Sequence, residues 1–402
     1  MYVTEQKGHT MMSTTSKKEY LSTIQERYTR GNRSDKKHIL DEFCRVCGYH
    51  RKYAIRLLQR SFKQSPSKRS SRVGRPRKYH NAEVIAFLKK LWIASNLVCS
   101  KRLHAMIPLW LPFDQSDLSQ RTIQLLSSIS PSSIDRLLKP LRRYYTKHGL
   151  ATTKPGSLLK KHIPIRTNQW DERIPGFLEA DTVAHCGTSV AGMFIYTVNT
   201  VDIATGWNEA RAVWGKGEAG VLSALKAIEH DLPFRLRGFD CDNGTEFMNW
   251  TILKHFQHRH RPVHYTRSRE YNKNDNAHIE GKNWTLIRQY FGYDRFEDQQ
   301  MVLLMNDLYA HQWRFFVNFF LPSMKLQSKY RVKSKTIKLY DQPLTPFQRL
   351  CASKQLQPNT RRELLSLFKS LNPFSLQKIL SKKICTILKY ASRSSPILKS
   401  SM

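Results

Sequence analysis

Acidic residues are concentrated in the middle of this chain. Residues 171–320 hold 19 Asp and Glu beside 16 Lys and Arg, whereas residues 1–170 hold 10 beside 34 and residues 321–402 hold 2 beside 17. A basic side chain needs an acid, solvent or an anionic partner as counter-charge, so a core with internal ion pairs is expected only in the middle. The two flanks carry all of the formal net charge of +36. Arms of that kind fit a polyanion, nucleic acid above all; the plainer reading is a cationic surface that serves solubility.

A length of 402 residues allows two or three domains with at least one sizeable core. The seven cysteines (44, 47, 99, 186, 241, 351 and 385) are few and scattered, which argues against a disulfide framework and for a reducing compartment. No apolar run reaches the roughly 18 residues of a membrane span, since Asp307, His311 and Arg314 interrupt the Leu- and Phe-rich stretch 301–321. The N-terminus has no secretory apolar stretch, so a soluble intracellular protein without a membrane partner is expected.

Pattern and punctuation divide the chain further. Residues 1–15 read as a disordered leader. Residues 16–62 read as helices, the first capped by Ser16 and ended near Gly31, the next two broken at Gly48. Ile39, Phe43 and Val46, then Ala54, Leu57 and Leu58, are spaced to face inward. Helix, Gly turn and basic second helix form a helix-turn-helix outline, with Arg51, Lys52 and Arg56 as DNA contacts; a plain three-helix bundle has the same pattern. Residues 63–80 are a Ser/Lys/Arg linker whose "GRPRK" resembles a minor-groove hook, with Arg75 and Arg77 as the contacting side chains; a merely basic linker reads equally well. Residues 81–150 form a second helical, helix-turn-helix-like region, in which Pro131 starts a helix with Ile134, Leu137, Leu138 and Leu141 on one face. Residues 151–173 are a second linker.

At Gly176 the period changes. "GFLEADTVAHC" and "AGMFIYTVNTVDIATGWNEARAVW" alternate as strands, "GEAGVLSALKAIEHDL" is helical, "FRLRGFDCD" a strand, "TEFMNWTILKHFQHR" a helix and "PVHYTRS" a strand, before two further helices. Residues 174–322 are therefore expected to be α/β, a mixed five-stranded sheet flanked by helices, preceded by the all-α modules. Residues 323–402 are basic and partly helical, with a disordered tail.

Three carboxylates in this middle region stand at element edges: Asp181 in the first strand, Asp242 at the end of the fourth, before an Asn-Gly turn, and Glu280 in the first turns of a later helix. Sites in open α/β sheets gather at strand ends. Three carboxylates meeting there need a cation, and all-oxygen ligands suit Mg²⁺ or Mn²⁺. Two such ions can activate an attacking oxygen and stabilise a leaving one in phosphodiester displacement. Asp240 shares a strand face with Asp242 and competes with it for this place. Glu179 reads as a structural partner, Asp202 as a turn residue and Glu246 as a helix start. Cys44 and Cys47 with His38 and His50 suggest zinc only loosely, because their order and spacing do not suit a zinc module.

"EADT" with Asp181, "DNGTEF" with Asp242 and "NKNDNAHIEGKN" with Glu280, the last two acids separated by 37 residues, resemble the DDE integrase/transposase superfamily. Within it, "YNKNDNAHIEGKNWTLIRQYFGYDR" and "GYHRKYAIRLL" look like the integrase-core transposases of bacterial insertion sequences. The resemblance covers roughly 16–375 and is strongest over 174–320. It implies a ribonuclease H-like core in which Asp181, Asp242 and Glu280 hold two Mg²⁺ or Mn²⁺ ions, used first to nick DNA and then to join a 3′-hydroxyl to target DNA. It also implies DNA partners (element ends and target), a homo-oligomer assembled on DNA, and a place in the bacterial cytoplasm beside the nucleoid. Lys282 and Asn283, like Asn276 and His278, lie near Glu280 and are candidates for DNA contact, the alternative being helix capping or a solvated face. A transposase-derived DNA-binding protein without catalysis, or a ribonuclease H-like nuclease that cuts without joining, remains open beside the transposase reading.

Overall fold

The computed structural model describes residues 12–59, 78–144, 172–241, 246–267, 277–332 and 334–394. By their contacts they fall into two units, residues 1–77 and residues 78–402.

The first unit contains α1 (Thr14–Arg30), α2 (Arg33–Cys47) and α3 (Arg51–Leu58). The cap of α1 is Ser13, whose hydroxyl accepts from the Ser16 N–H, so the helix starts earlier than its sequence suggests. Asn32 and Asp35 close a reciprocal capping box at the start of α2. Gly48 ends α2 in the left-handed region (φ +68), which favours glycine. Ile24, Tyr28, Ile39, Leu40, Phe43, Cys47, Ala54 and Leu58 form the core. Val46 is 44% exposed, and Leu40 and Cys47 take the inward positions beside Phe43 instead. The two candidate rows on α2 differ by a small rotation, and packing against α1 and α3 selects one of them. Burial pushes the Cys47 thiol upward, as expected of a packed cysteine.

The second unit begins with α4 (Ala82–Ala94), α5 (Ser100–Trp110), α6 (Gln120–Ser128) and α7 (Pro131–Arg142). Ser130 caps α7, and Pro131 opens it as the sequence predicts. These helices do not close a core of their own. Their buried residues, Leu88, Leu103, Trp110 and Leu138 among them, belong to one cluster with Trp207, Met305, Trp313 and Phe320 from later in the chain. Trp110 is wholly buried, donates its ring N–H to the Phe320 carbonyl at 3.1 Å, and meets Phe316, Phe320 and Phe374 edge-on.

The sheet contains β1 (Phe177–Ala184), β2 (Ile195–Asp202), β3 (Asn208–Trp214), β4 (Gly238–Cys241) and β5 (His264–Arg267), in the order β3-β2-β1-β4-β5. β1–β2 and β2–β3 are antiparallel, while β1–β4 and β4–β5 are parallel. The α/β architecture with a mixed five-stranded sheet is thus as expected from the pattern. Gly176 starts it: its φ of +116 and the Arg235 carbonyl, 2.3 Å from where a Cβ would stand, exclude a side chain. One sheet face, with Leu178, Ala180 and Val198, packs on α8 (Glu218–Asp231) and α9 (Trp250–Gln257). The other, with Val183, Ile195 and Ala210, belongs to the large cluster. It is covered by α10 (Ala277–Lys282), a π-helical stretch (Asn283–Arg288), α11 (Gln289–Phe291), α12 (Gln300–Leu308), a second π-helical stretch (Tyr309–Trp313) and α13 (Arg314–Phe320).

The C-terminal region is more ordered in its elements than "partly helical" implied. A hairpin of β6 (Leu326–Val332) and β7 (Lys335–Tyr340) is exposed along its length. It is followed by α14 (Pro346–Ala352), α15 (Pro358–Ser370) and α16 (Pro373–Ser394), the last packing on α12 and α13. No described helix is long and apolar enough to cross a membrane.

Candidate active site

Asp181 is half-buried near the middle of β1, on the sheet face that α10 to α13 cover. Strand alternation sends Leu178 and Ala180 to one side, and Glu179, Asp181 and Val183 to the other. One carboxylate oxygen accepts from the Thr182 N–H at 2.7 Å, the other from the side-chain amide of Asn283 at 2.7 Å. Asn283 is the first residue of the π-helical stretch that continues α10, and α10 lies against β1 and β2. The acid and the amide are 102 positions apart in sequence and meet directly in space.

The other expected acids are placed in part. The β1–β4 register pairs Ala180 with Cys241, the residues that precede Asp181 and Asp242. Asp242 itself lies outside the described residues, as do Asn243, Gly244 and Asn276. Glu280 is in α10; its side chain, like that of His278, is outside the described set. Asp240 is buried, pairs in register with Glu179, and accepts from the Thr266 hydroxyl at 2.6 Å, so it belongs to the strand interior. Asp202 accepts from the Gly176 N–H and from both the N–H and hydroxyl of Thr205, which stitches the start of β1 to the β2–β3 turn; burial raises its pKa.

Glu246 differs from the sequence expectation. It does not start a helix, because Asn249 caps α9 by accepting from Ile252 N–H. The Glu246 carboxylate is instead buried, accepts from the Thr182 hydroxyl at 2.9 Å and lies 3.3 Å from the Lys216 ammonium. The burial of Phe247 beside it, in the cluster with Leu178 and Ala180, draws this segment against the α8–α9 face of the sheet, opposite the face that carries Asp181.

Among the expected DNA contacts, Arg51 pairs with Asp41 on α2, and Lys52 and Arg56 are exposed on α3. Arg75 and Arg77 lie outside the described residues. Asn283 commits its amide within the protein, donating to Asp181 and accepting from Asn199 at 2.7 Å. Lys282 is half-buried; burial first, then Arg102 and Arg349, push its pKa down to about 7. Sequence reasoning passed over Asn199 and Thr182, and gave Glu246 a different place. For Asn199 the one available signal was an amide in the middle of a strand rich in β-branched residues, "IYTVNTVD".

No family model matches the chain. It is similar to the uncharacterized protein y4rM of Sinorhizobium fredii (strain NBRC 101917 / NGR234), 37% identical over 343 residues, which span 84% of this chain and 96% of that protein. Among solved structures it is similar to the cryo-EM structure of a simian T-cell lymphotropic virus intasome in complex with PP2A regulatory subunit B56 gamma. That likeness covers 61% of this chain and 87% of that one at 14% identity and a TM-score of 0.30, too slight to argue from.

Proposed function

The chain belongs to the family of the Sinorhizobium fredii protein y4rM, and we propose that it is a DDE-type DNA transposase with a ribonuclease H-like core. The observation that carries this reading is the setting of Asp181. It stands on β1, β4 runs parallel beside it up to the residue before Asp242, and the helix holding Glu280 packs over β1 and is tied to Asp181 through Asn283. The succession of three antiparallel strands, helix, strand, helix and strand supports a ribonuclease H-like core.

Among the described residues no group of three His, Cys, Asp or Glu is disposed to hold a metal ion. The proposed site adds Asp242 and the Glu280 carboxylate, which are outside that set. The donors fit in kind: three carboxylates are hard oxygen ligands suited to Mg²⁺ or Mn²⁺. Asp181, Asp242 and Glu280 would hold two such ions, which when bound activate an attacking oxygen and stabilise the leaving one. The chain's own part is to orient and to grip. Asn283 holds the Asp181 carboxylate, and the Thr182–Glu246 bond braces the strand next to it. Basic flanks, with Arg51, Lys52, Arg56, Arg75 and Arg77, supply phosphate contacts to element ends and target DNA. Pairing two ends calls for a homo-oligomer on DNA, in the bacterial cytoplasm beside the nucleoid.

The test is strand transfer with purified protein, labelled DNA carrying the element's ends, and Mg²⁺ or Mn²⁺, with Asp242→Asn and Glu280→Gln run alongside. Metal-dependent joining lost in both variants is the expected result. Cleavage without joining would leave a nuclease. Tight DNA binding with neither, in wild type and variants alike, would leave a DNA-binding protein without catalysis.

A further inference from the structure

The Asn283–Asp181 bond is the last link of a longer chain of amides. On α13, Asn318 accepts from the Asn208 N–H and donates to the Asn208 carbonyl, both at 2.8 Å. Asn208 opens β3 and donates its side-chain N–H₂ to the Asn199 oxygen at 2.7 Å and to the Thr200 carbonyl at 2.8 Å. Asn199, in β2, donates to the Asn283 oxygen at 2.7 Å, and Asn283 donates to Asp181 at 2.7 Å.

The direction of these bonds follows from chemistry. An amide's oxygen and nitrogen are told apart by their partners. Here the Thr200 and Asn208 carbonyls only accept, and so does the Asp181 carboxylate when ionised. Each amide must then present its nitrogen toward Asp181 and its oxygen away from it. Three links in one sense end on a negative charge, an arrangement in which each bond polarises the next.

Packing does not require these residues. Asn199, Asn208 and Asn318 are at most 1% exposed. An amide in a buried central strand is a poor β-former and costly to desolvate, and neighbouring positions carry Val198 and Val201. The Asn208 oxygen is buried without a hydrogen-bond partner, a cost accepted while its nitrogen serves Asn199 and Thr200.

We propose that Asn199, Asn208 and Asn318 are positioning residues for Asp181. Through Asn283 they hold its carboxylate in one orientation, and they anchor that orientation to α13 across three strands. This rests on the reading of Asp181 as a catalytic acid.

The experiment compares wild type with Asn199→Leu, which breaks the chain at similar volume, and Asn199→Asp, which keeps shape but removes the donor. Two quantities are read: the Asp181 side-chain orientation in metal-free crystal structures, and kcat and KM for strand transfer. In both variants Asp181 is expected to leave its wild-type orientation, and kcat to fall by ~10-fold or more with KM for DNA unchanged, as when ligand-orienting partners are lost. Asn199→Asp should be the worse, because Asn283 then turns its nitrogen to the introduced carboxylate and its oxygen to Asp181. A merely space-filling role makes the isosteric aspartate the milder change. An unmoved Asp181 with kcat within about twofold of wild type in whichever variant folds would overturn the proposal. Wild-type protein that joins no DNA would instead overturn the transposase reading, while the crystallographic comparison still decides whether the chain orients Asp181.

Discussion

His185 should make the fold acid-labile in a way that one substitution removes. It follows β1, is wholly buried, and stacks on Phe296 with ring centroids 4.6 Å apart. Its Nε2 shares a hydrogen bond with the Thr197 hydroxyl at 2.9 Å, and its Nδ1 is buried without a hydrogen-bond partner. Burial, with a smaller push from Arg288, lowers its pKa from the ordinary 6.5 to about 3. The unfolded chain therefore takes up this proton first. The contribution of neutral His185 to stability is complete above pH 6.5 and is lost as pH falls toward 3. From those two values the loss is about 2 kcal/mol between pH 8 and pH 5, and about 4 kcal/mol by pH 3. His185→Phe keeps a ring against Phe296 and leaves Thr197 bonded to the Tyr309 hydroxyl. It should cost about 1 kcal/mol at pH 8 for the lost hydrogen bond. Near pH 5 it should match or exceed wild type. Urea unfolding at both pH values, followed by tryptophan fluorescence with m-values compared, measures the difference. If the gap between wild type and variant is the same at pH 8 and pH 5 within about 0.5 kcal/mol, this account of a buried neutral histidine is wrong.

Two further perturbations probe other parts of the molecule. Trp110→Ala empties the place where α5 meets the end of α13, and should cost about 3–5 kcal/mol in urea unfolding; a loss below about 1 kcal/mol would mean that the helices before the sheet do not share its core. On the hairpin, Lys329 stands directly opposite Lys338, with no acid anywhere in 326–340. Lys329→Glu with Lys338→Glu should weaken duplex binding and reduce the slope of log affinity against log salt by about 2, read by fluorescence anisotropy; an unchanged slope would take this hairpin out of DNA contact.

Much of the central architecture is legible in the sequence because it is local. Alternation in "GFLEADTVA" puts Asp181 and Val183 on one face and Ala180 on the other, and the strand there does the same. The breaks at Gly48 and Gly176 come from positive φ, a property of the residue itself. The hairpin was hidden because charge dominates "LQSKYRVKSKTIKLY", and its strands pair with each other and leave both faces exposed, so alternation marks no core side. Residues 81–150 read as a separate module because their apolar spacing shows that a face is buried, not against what. Trp110 meets Phe316 and Phe320, which lie some two hundred residues later.

The sequence alone determined the kinds of element in the central sheet region and the segregation of charge, since each depends on residues near one another in the chain. Only the tertiary structure decided which side chains meet Asp181. Asn283 reaches it from 102 positions away, Asn318 reaches Asn208 from 110, and Glu246 reaches Thr182 from 64. No local period encodes such meetings. They follow from the order in which strands pair and the face each helix covers, and those are settled by burying apolar surface over the whole unit.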